Sequence, residues 1–260
     1  MKKVLGYLLT PVFHFYYGLI LIILHPVMVI ALYFFGDPAR RKVVDLLNFL
    51  LVKGLYILGC RVSFWGFEKI PDNRPIIIIS NHQSMYEIPA IGYGFRKYYT
   101  KFISKIELTK NFPSISHNLK HGKSAMIDRE NGTQAVREIY KLGKLIEENN
   151  YAVCIFPEGT RSKTGKVKKF MTAGISTLLR ASPSAVIVPF VIDGHSSFMD
   201  KGLFPLKFGQ KITYTVIDPV EPKDQPVEEL VNRIQLLIEK ELKRGNLTAP
   251  ARVDLQSVPE

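Results

Sequence analysis

At 260 residues with 47% hydrophobic content, the chain is long and apolar enough for a sizeable core, so one α/β domain with appendages is the economical reading. A net charge of +12 points to an anionic partner, but does not by itself separate nucleic acid, phosphorylated substrate and anionic lipid. The only cysteines, Cys60 and Cys154, lie far apart in apolar runs, which excludes a secretory disulfide framework and reads as reduced core thiols in a cytosolic compartment.

The first segment is KVLGYLLTPVFHFYYGLILIILHPVMVIALYFFGD. From Val4 to Gly36 it runs 33 residues without a charge, which favours membrane contact over a soluble core. One span needs about 20 residues and two spans with a turn about 40, so the length fits neither. Lys2 and Lys3 precede it and Arg40, Arg41 and Lys42 follow it, a pattern that keeps both flanks cytoplasmic. With Pro26 as the expected break, residues 1–36 read as a shallow helical hairpin or re-entrant anchor. A single tilted span and a cleaved signal peptide are the alternatives. Residues 37–60 follow as an amphipathic helix, with Val43, Leu46, Leu47, Leu50, Leu51 and Leu55 at helical spacing. It either lies on the membrane surface or packs on the domain.

Residues 61–245 then alternate between strand and helix patterns. Strands are expected in RVSFWGF, PIIIIS, YTKFIS, SAMID, AVCIF, AVIVPFVI and KITYTVI. Helices are expected from about Met85, in TQAVREIYKLGKLIEENN, near MTAGISTLLR and from Pro226 to about Arg244. Alternation of this kind predicts an α/β fold, and the unbroken apolar runs predict strands covered on both faces. Residues 246–260 read as a frayed tail.

Two polar stretches interrupt this pattern. In SNHQSMYE, His82 and Glu87 are five residues apart; on one regular helix they would diverge by about 140°. If His82 instead sits in the turn after PIIIIS and Glu87 in the first turn of the next helix, the two converge at the carboxyl end of a strand, where open α/β sheets bind ligands. A carboxylate on one imidazole nitrogen makes the other a general base. The bland alternative is a helix cap at Ser80 or Asn81 beside a structural histidine. In FPEGTRSKTGKVKKF, Pro157 and Gly159 mark a turn, and five cations fall within Arg161 to Lys169 without an acid. This is either a solvated face or a phosphate site, with Arg161 supplying a planar fork.

The order and spacing of NHQSMYE and FPEGTRS resemble the glycerolipid acyltransferase family of the 1-acylglycerol-3-phosphate O-acyltransferase (lysophosphatidate acyltransferase, PlsC) type, over roughly residues 60–220. The usual family pattern has Asp where this chain has Glu87, so the chain resembles an HxxxxE variant found in a bacterial subgroup. The resemblance implies a mixed, largely parallel sheet flanked by helices, with His82 as base and Glu87 orienting it. It also implies that Glu158, Gly159, Thr160 and Arg161 hold the acceptor's glycerol phosphate and that Arg129, in GKSAMIDRE, contacts the phosphate. Pro189, in IVPFVI, would shape the acyl site and Asn81 would support the motif. Lys105 is a supporting candidate, and Lys101 and Lys163 are lesser phosphate candidates.

The implied reaction moves an acyl group from acyl-CoA or acyl carrier protein to a lysophospholipid hydroxyl, giving phosphatidic acid from 1-acylglycerol-3-phosphate. The implied setting is the cytoplasmic side of a bacterial inner membrane, with membrane lipids as partners and no cofactor, metal or nucleic acid. Another lysolipid or a glycolipid is an alternative acceptor. A metal-dependent phosphoester hydrolase using His82, His117, His121 and Asp193 is the alternative enzyme, and a catalytically silent membrane-binding scaffold is the non-enzymatic one. His117 and His121 stand at i, i+4, a metal-binding spacing that lacks an evident third ligand. Asp193 and His195 either line the site's mouth or belong to a turn on Gly194.

Overall fold

A computed structural model describes residues 1–110, 113–222 and 225–245; the tail expected at 246–260 lies outside them. The strands are β1 (Arg61–Trp65), β2 (Ile76–Ser80), β3 (Lys101–Lys105), β4 (Ala125–Ile127), β5 (Ala152–Ile155), β6 (Val186–Asp193) and β7 (Lys211–Val216). They form one sheet in the order β1-β7-β6-β2-β5-β3-β4. Every pairing is parallel except β6 with β7. The α/β alternation expected from the sequence, and the mixed, largely parallel sheet implied by the resemblance, are what form.

The all-isoleucine part of β2 explains its central place. Ile76 and Ile78 face one core, with Phe190, Phe198 and Phe13; Ile77 and Ile79 face another, with Ile146, Ile175 and Ile234. A strand covered on both faces cannot alternate apolar with polar. The second core is closed by α4 (Gly132–Asn149), α5 (Thr172–Ala181) and α7 (Val227–Gly245). Because β5 and β3 lie on one side of β2 and β6 on the other, β2 is where the chain order reverses, and its carboxyl end opens a crevice.

The N-terminal region is a hairpin, but not the one expected. A single helical stretch, α1 (Lys2–Gly54), runs straight through Pro26 and turns at Gly36, whose φ of 78° and ψ of −175° interrupt the helix. Such a φ suits glycine, and Pro38 opens the second arm with the fixed φ a helix start favours. The hairpin therefore pairs residues 2–35 with residues 37–54, rather than folding within residues 1–36. Leu24 and Met28 meet Val44, Leu47 and Leu51 between the arms, so the second arm packs on the first and also on α2 (Ile88–Gly94).

The first arm is not an appendage either. Phe13 belongs to the domain core, and the Thr10 hydroxyl accepts the Leu206 N–H at 2.9 Å. A Cβ on Gly6 would lie 2.7 Å from the Leu206 carbonyl oxygen, so only glycine permits that approach. The outward face is apolar: Leu8, Val12, Phe15, Ile22 and Ile23 are exposed, and Tyr33, Phe34 and Phe35 at the turn are 69 to 82% exposed. By length and composition this helix can cross a membrane. Of the flanking cations, Arg40 is buried, bonded to Asp37, Asn118 and Tyr99.

Candidate active site

β2 delivers the NHQSMYE stretch to the carboxyl edge of the sheet, and Asn81 fixes its exit. The Asn81 amide donates to the Ile192 carbonyl at 2.8 Å and accepts the Ile192 N–H at 2.9 Å, tying the loop to the end of β6. Gln83 extends the tie, accepting the N–H of Ser196 at 3.0 Å.

The loop then folds back so that His82 and Glu87 meet. Glu87 is the residue before α2, not a residue within its first turn. Its Oε1 holds His82 Nδ1, while Oε2 accepts the N–H of Ser84 at 2.9 Å and of Gln83 at 3.2 Å. Glu87 is fully buried, and burial pushes its carboxyl above the ordinary range, opposed by His82 and the two amides. The Nε2 edge of His82 makes no hydrogen bond among the described residues, and the side chain keeps 16% exposure.

The FPEGTRS loop, leaving β5 beside β2, grips His82 at three points. Phe156 stacks on the imidazole with centroids 4.1 Å apart and planes at 18°. Glu158 Oε1 accepts the His82 N–H at 2.8 Å, and the Ser162 N–H donates to the His82 carbonyl at 2.7 Å. The other oxygen of Glu158 accepts the Lys168 N–H at 3.1 Å. Both carboxylate oxygens of the residue expected to bind acceptor are thus committed to backbone, and burial raises its pKa. Gly159 serves the turn with φ 68°; a Cβ there would meet Met171 at 2.5 Å. Sequence reasoning missed Phe156 and Ser162, although both stand inside the motif it singled out.

The cations behave differently. Arg161 is exposed and its guanidinium has no partner among the described residues. With Thr160, Ser162, Lys163, Lys166 and Lys168 it lines a cleft of about 370 Å³. Lys168 Nζ reaches back to the Arg161 carbonyl at 3.0 Å. Arg129, exposed after β4, and Lys105, ending β3, share the carboxyl edge but on strands farther from β2.

Other candidates fall away from the site. Lys101 opens β3 at the opposite edge, fully buried with its Nζ over the Tyr99 ring and without a hydrogen-bond partner among the described residues. Pro189 sits inside β6 opposite Ile79, on the strand face shared with Ile187 and Val191 under α7. That is a core position below the edge, not a site lining. Asp193 accepts the Gly194 N–H at 2.8 Å in the turn after β6, and His195, which opens the short helix α6 (His195–Phe198), is buried on the Tyr214 hydroxyl at 2.5 Å. His117 and His121 on α3 (Ile115–His121) cluster with His25 of the N-terminal arm, not with His82. Among the described residues no three His, Cys, Asp or Glu side chains are placed to hold one metal ion, so the hydrolase set does not assemble.

A buried carboxylate on an imidazole, an open Nε2 and a neighbouring cationic cleft together suit proton abstraction from a hydroxyl on an anionic substrate. Residues 61–193, half of the chain, match the acyltransferase family. The chain belongs to the acyltransferase family. Among its relatives, a coconut (Cocos nucifera) 1-acyl-sn-glycerol-3-phosphate acyltransferase is 28% identical over 183 residues, covering 70% of this chain and 57% of that protein. A Pseudomonas aeruginosa protein of the same name is 28% identical over 181 residues, covering 70% of this chain and 67% of its own. The matched stretch spans 57 to 63% of the length of the plant and nematode relatives. The crystal structure of the 1-acyl-sn-glycerophosphate (LPA) acyltransferase PlsC from Thermotoga maritima superposes with a TM-score of 0.80 at 24% identity, covering 96% of this chain and all of that one. The acyltransferase fold accordingly extends over the N-terminal hairpin as well as the sheet.

Proposed function

We propose that the protein transfers an acyl group from a thioester donor, acyl-CoA or acyl carrier protein, to the free hydroxyl of 1-acylglycerol-3-phosphate, giving phosphatidic acid. The observation that carries this reading is His82, held at Nδ1 by buried Glu87 with Nε2 free, its backbone carbonyl bonded to Ser162 of the cationic cleft. The activity for which the relatives are named supports it. In this reading Nε2 takes the acceptor's hydroxyl proton as the oxygen attacks the thioester carbonyl. Glu87 stabilises the imidazolium. The tetrahedral centre then expels the thiolate as the C–S bond breaks, and the imidazolium returns the proton to sulfur, leaving an ester and a free thiol. No side chain is acylated.

The acceptor phosphate goes to Arg161, whose free planar guanidinium can grip two phosphate oxygens. Lys163, and Arg129 across the edge, add charge. In this reading the outward apolar face of the N-terminal arm lies against lipid, and Lys2, Lys3, Arg41 and Lys42, the flanking cations other than buried Arg40, favour the cytoplasmic side of a bacterial inner membrane. The test is purified protein with a panel of lysolipids and acyl thioesters, read by thiol release and product lipid. Turnover with phosphate-bearing acceptors above neutral ones is expected; absence of acyl transfer to every acceptor overturns the reading.

A further inference from the structure

The residue before Glu87 faces the N-terminal arm. Tyr86 is 4% exposed. Its ring lies 5.2 Å from Phe13, 5.3 Å from Tyr17 and 5.9 Å from Phe198, each edge to face. Its hydroxyl lies 3.0 Å from His14 Nε2. Burial pushes the Tyr86 pKa up to about 12, so the phenol keeps its proton and shares a hydrogen bond with that nitrogen, the imidazole tautomer deciding which of the two donates. The backbone on either side of this anchored ring is catalytic-loop backbone: Ser84 Oγ accepts the Tyr86 N–H at 3.0 Å, and Glu87 follows directly.

We infer that His14 is a positioning residue of the acyl-transfer site, holding Tyr86 and through it the Glu87 carboxylate on His82. The N-terminal arm is then part of the catalytic apparatus as well as a lipid-facing element. Phe13 and Tyr17 pack the Tyr86 ring in place, while Val12 and Phe15 on the same helix point outward as exposed apolar residues. Whatever seats that outer face also seats His14. A tyrosine next to the motif carboxylate has little room for error, since displacing a reacting group by about 1 Å can lower a rate about 100-fold.

The inference rests on the proposed acyl transfer, so it is tested by two measurements of which one needs no turnover. Full-length protein carrying Tyr86→Phe, which keeps the ring and its packing, His14→Ala, or both is assayed with bilayer-embedded and short-chain soluble acceptors. Each single variant is expected to lower kcat about three- to tenfold on both acceptors with KM little changed. The double variant should be no worse than either single one, and His14→Gln, which retains an acceptor, should recover part of the loss. In parallel, carbethoxylation of His82 by diethyl pyrocarbonate is followed by peptide mass spectrometry. A carboxylate on Nδ1–H raises the nucleophilicity of Nε2, so His82 should react more slowly in all three variants, towards the rate in Glu87→Gln. A wild type without turnover refutes the acyl-transfer reading and leaves the labelling to judge the loop. Unchanged kcat and labelling in Tyr86→Phe, additive losses, or an effect confined to the KM of the bilayer acceptor overturns the positioning role.

Discussion

Glu158→Gln separates two roles for the FPEGTRS carboxylate. In the structure its oxygens accept the His82 N–H at 2.8 Å and the Lys168 N–H at 3.1 Å. Glutamine keeps one acceptor and turns an NH2 group towards the other N–H, so one hydrogen bond to a charged acceptor is lost and a donor faces a donor. A hydrogen bond to a charged group contributes about 1.5–3 kcal/mol. Relief of the buried charge, which burial already disfavours, returns part of that to stability, and the residual effect falls on the His82 peptide. We expect kcat to drop about 10- to 100-fold, on the scale of a roughly 1 Å misplacement of the base, with the acceptor KM within about threefold of wild type. The assay is steady-state kinetics with acceptor and donor varied separately. A raised acceptor KM at unchanged kcat would refute the reasoning, because it would mean that Glu158 touches the acceptor rather than the histidine's backbone.

Three further outcomes are expected. His82→Ala should lower kcat by about 10²- to 10⁴-fold with the fold retained, the range for a lost general base; circular dichroism with turnover checks it, and activity within tenfold of wild type counts against the assignment. Arg161→Ala should raise the acceptor KM about 10- to 100-fold and the donor KM little, with Arg161→Lys intermediate because lysine lacks the fork; equal effects on both substrates would move Arg161 to the donor. Lys101→Met should stabilise by about 1–3 kcal/mol, the penalty of a buried donor without a partner. Burial lowers the Lys101 pKa from 10.5 to about 6, so between these values the unfolded chain binds the extra proton and wild-type stability rises with pH. The advantage of Lys101→Met should therefore be larger in denaturant melts near pH 7 than near pH 10.

The strands were legible because an unbroken run such as IIIIS or AVCIF has one stable place, a strand covered on both faces. The meeting of His82 with Glu87 was legible for a related reason: a five-residue interval cannot close on a regular helix, so the pair required a turn. The N-terminal turn was misplaced at Pro26, because a helix in an apolar run can carry a proline, whereas Gly36-Asp37-Pro38 stops one helix and starts the next. The role of Glu158 was hidden for a different reason. Its partners are backbone amides 76 residues before it and 10 after it in sequence, and backbone donors leave no trace in residue identity. Lys101 and Lys105 looked alike as candidate site cations; only strand direction puts one at the far edge, in the core, and the other at the carboxyl edge.

The inward half of the N-terminal arm shares this illegibility. Thirty-three uncharged residues read as membrane contact rather than core, yet Gly6, Thr10 and Phe13 face the domain. Deleting residues 1–36 would uncover Tyr86, Phe198 and Leu206, so truncation cannot separate membrane seating from catalysis.

Glu87 shows why the loop and the chemistry are one property. A fully buried carboxylate is pushed towards its neutral form by desolvation, and a neutral Glu87 would not stabilise an imidazolium. The opposing influences are His82 itself and the amides of Ser84 and Gln83, available only when residues 82–87 are folded back on themselves. That fold is in turn fastened at three places: to β6 through Asn81, to the FPEGTRS loop through the His82 peptide, and to the N-terminal arm through Tyr86. Loosening any of the three weakens the donors that favour the charged form of Glu87 against burial. Acid–base function in this site is therefore set by backbone closure of one six-residue loop, and changes well outside van der Waals contact with substrate should be felt first in kcat.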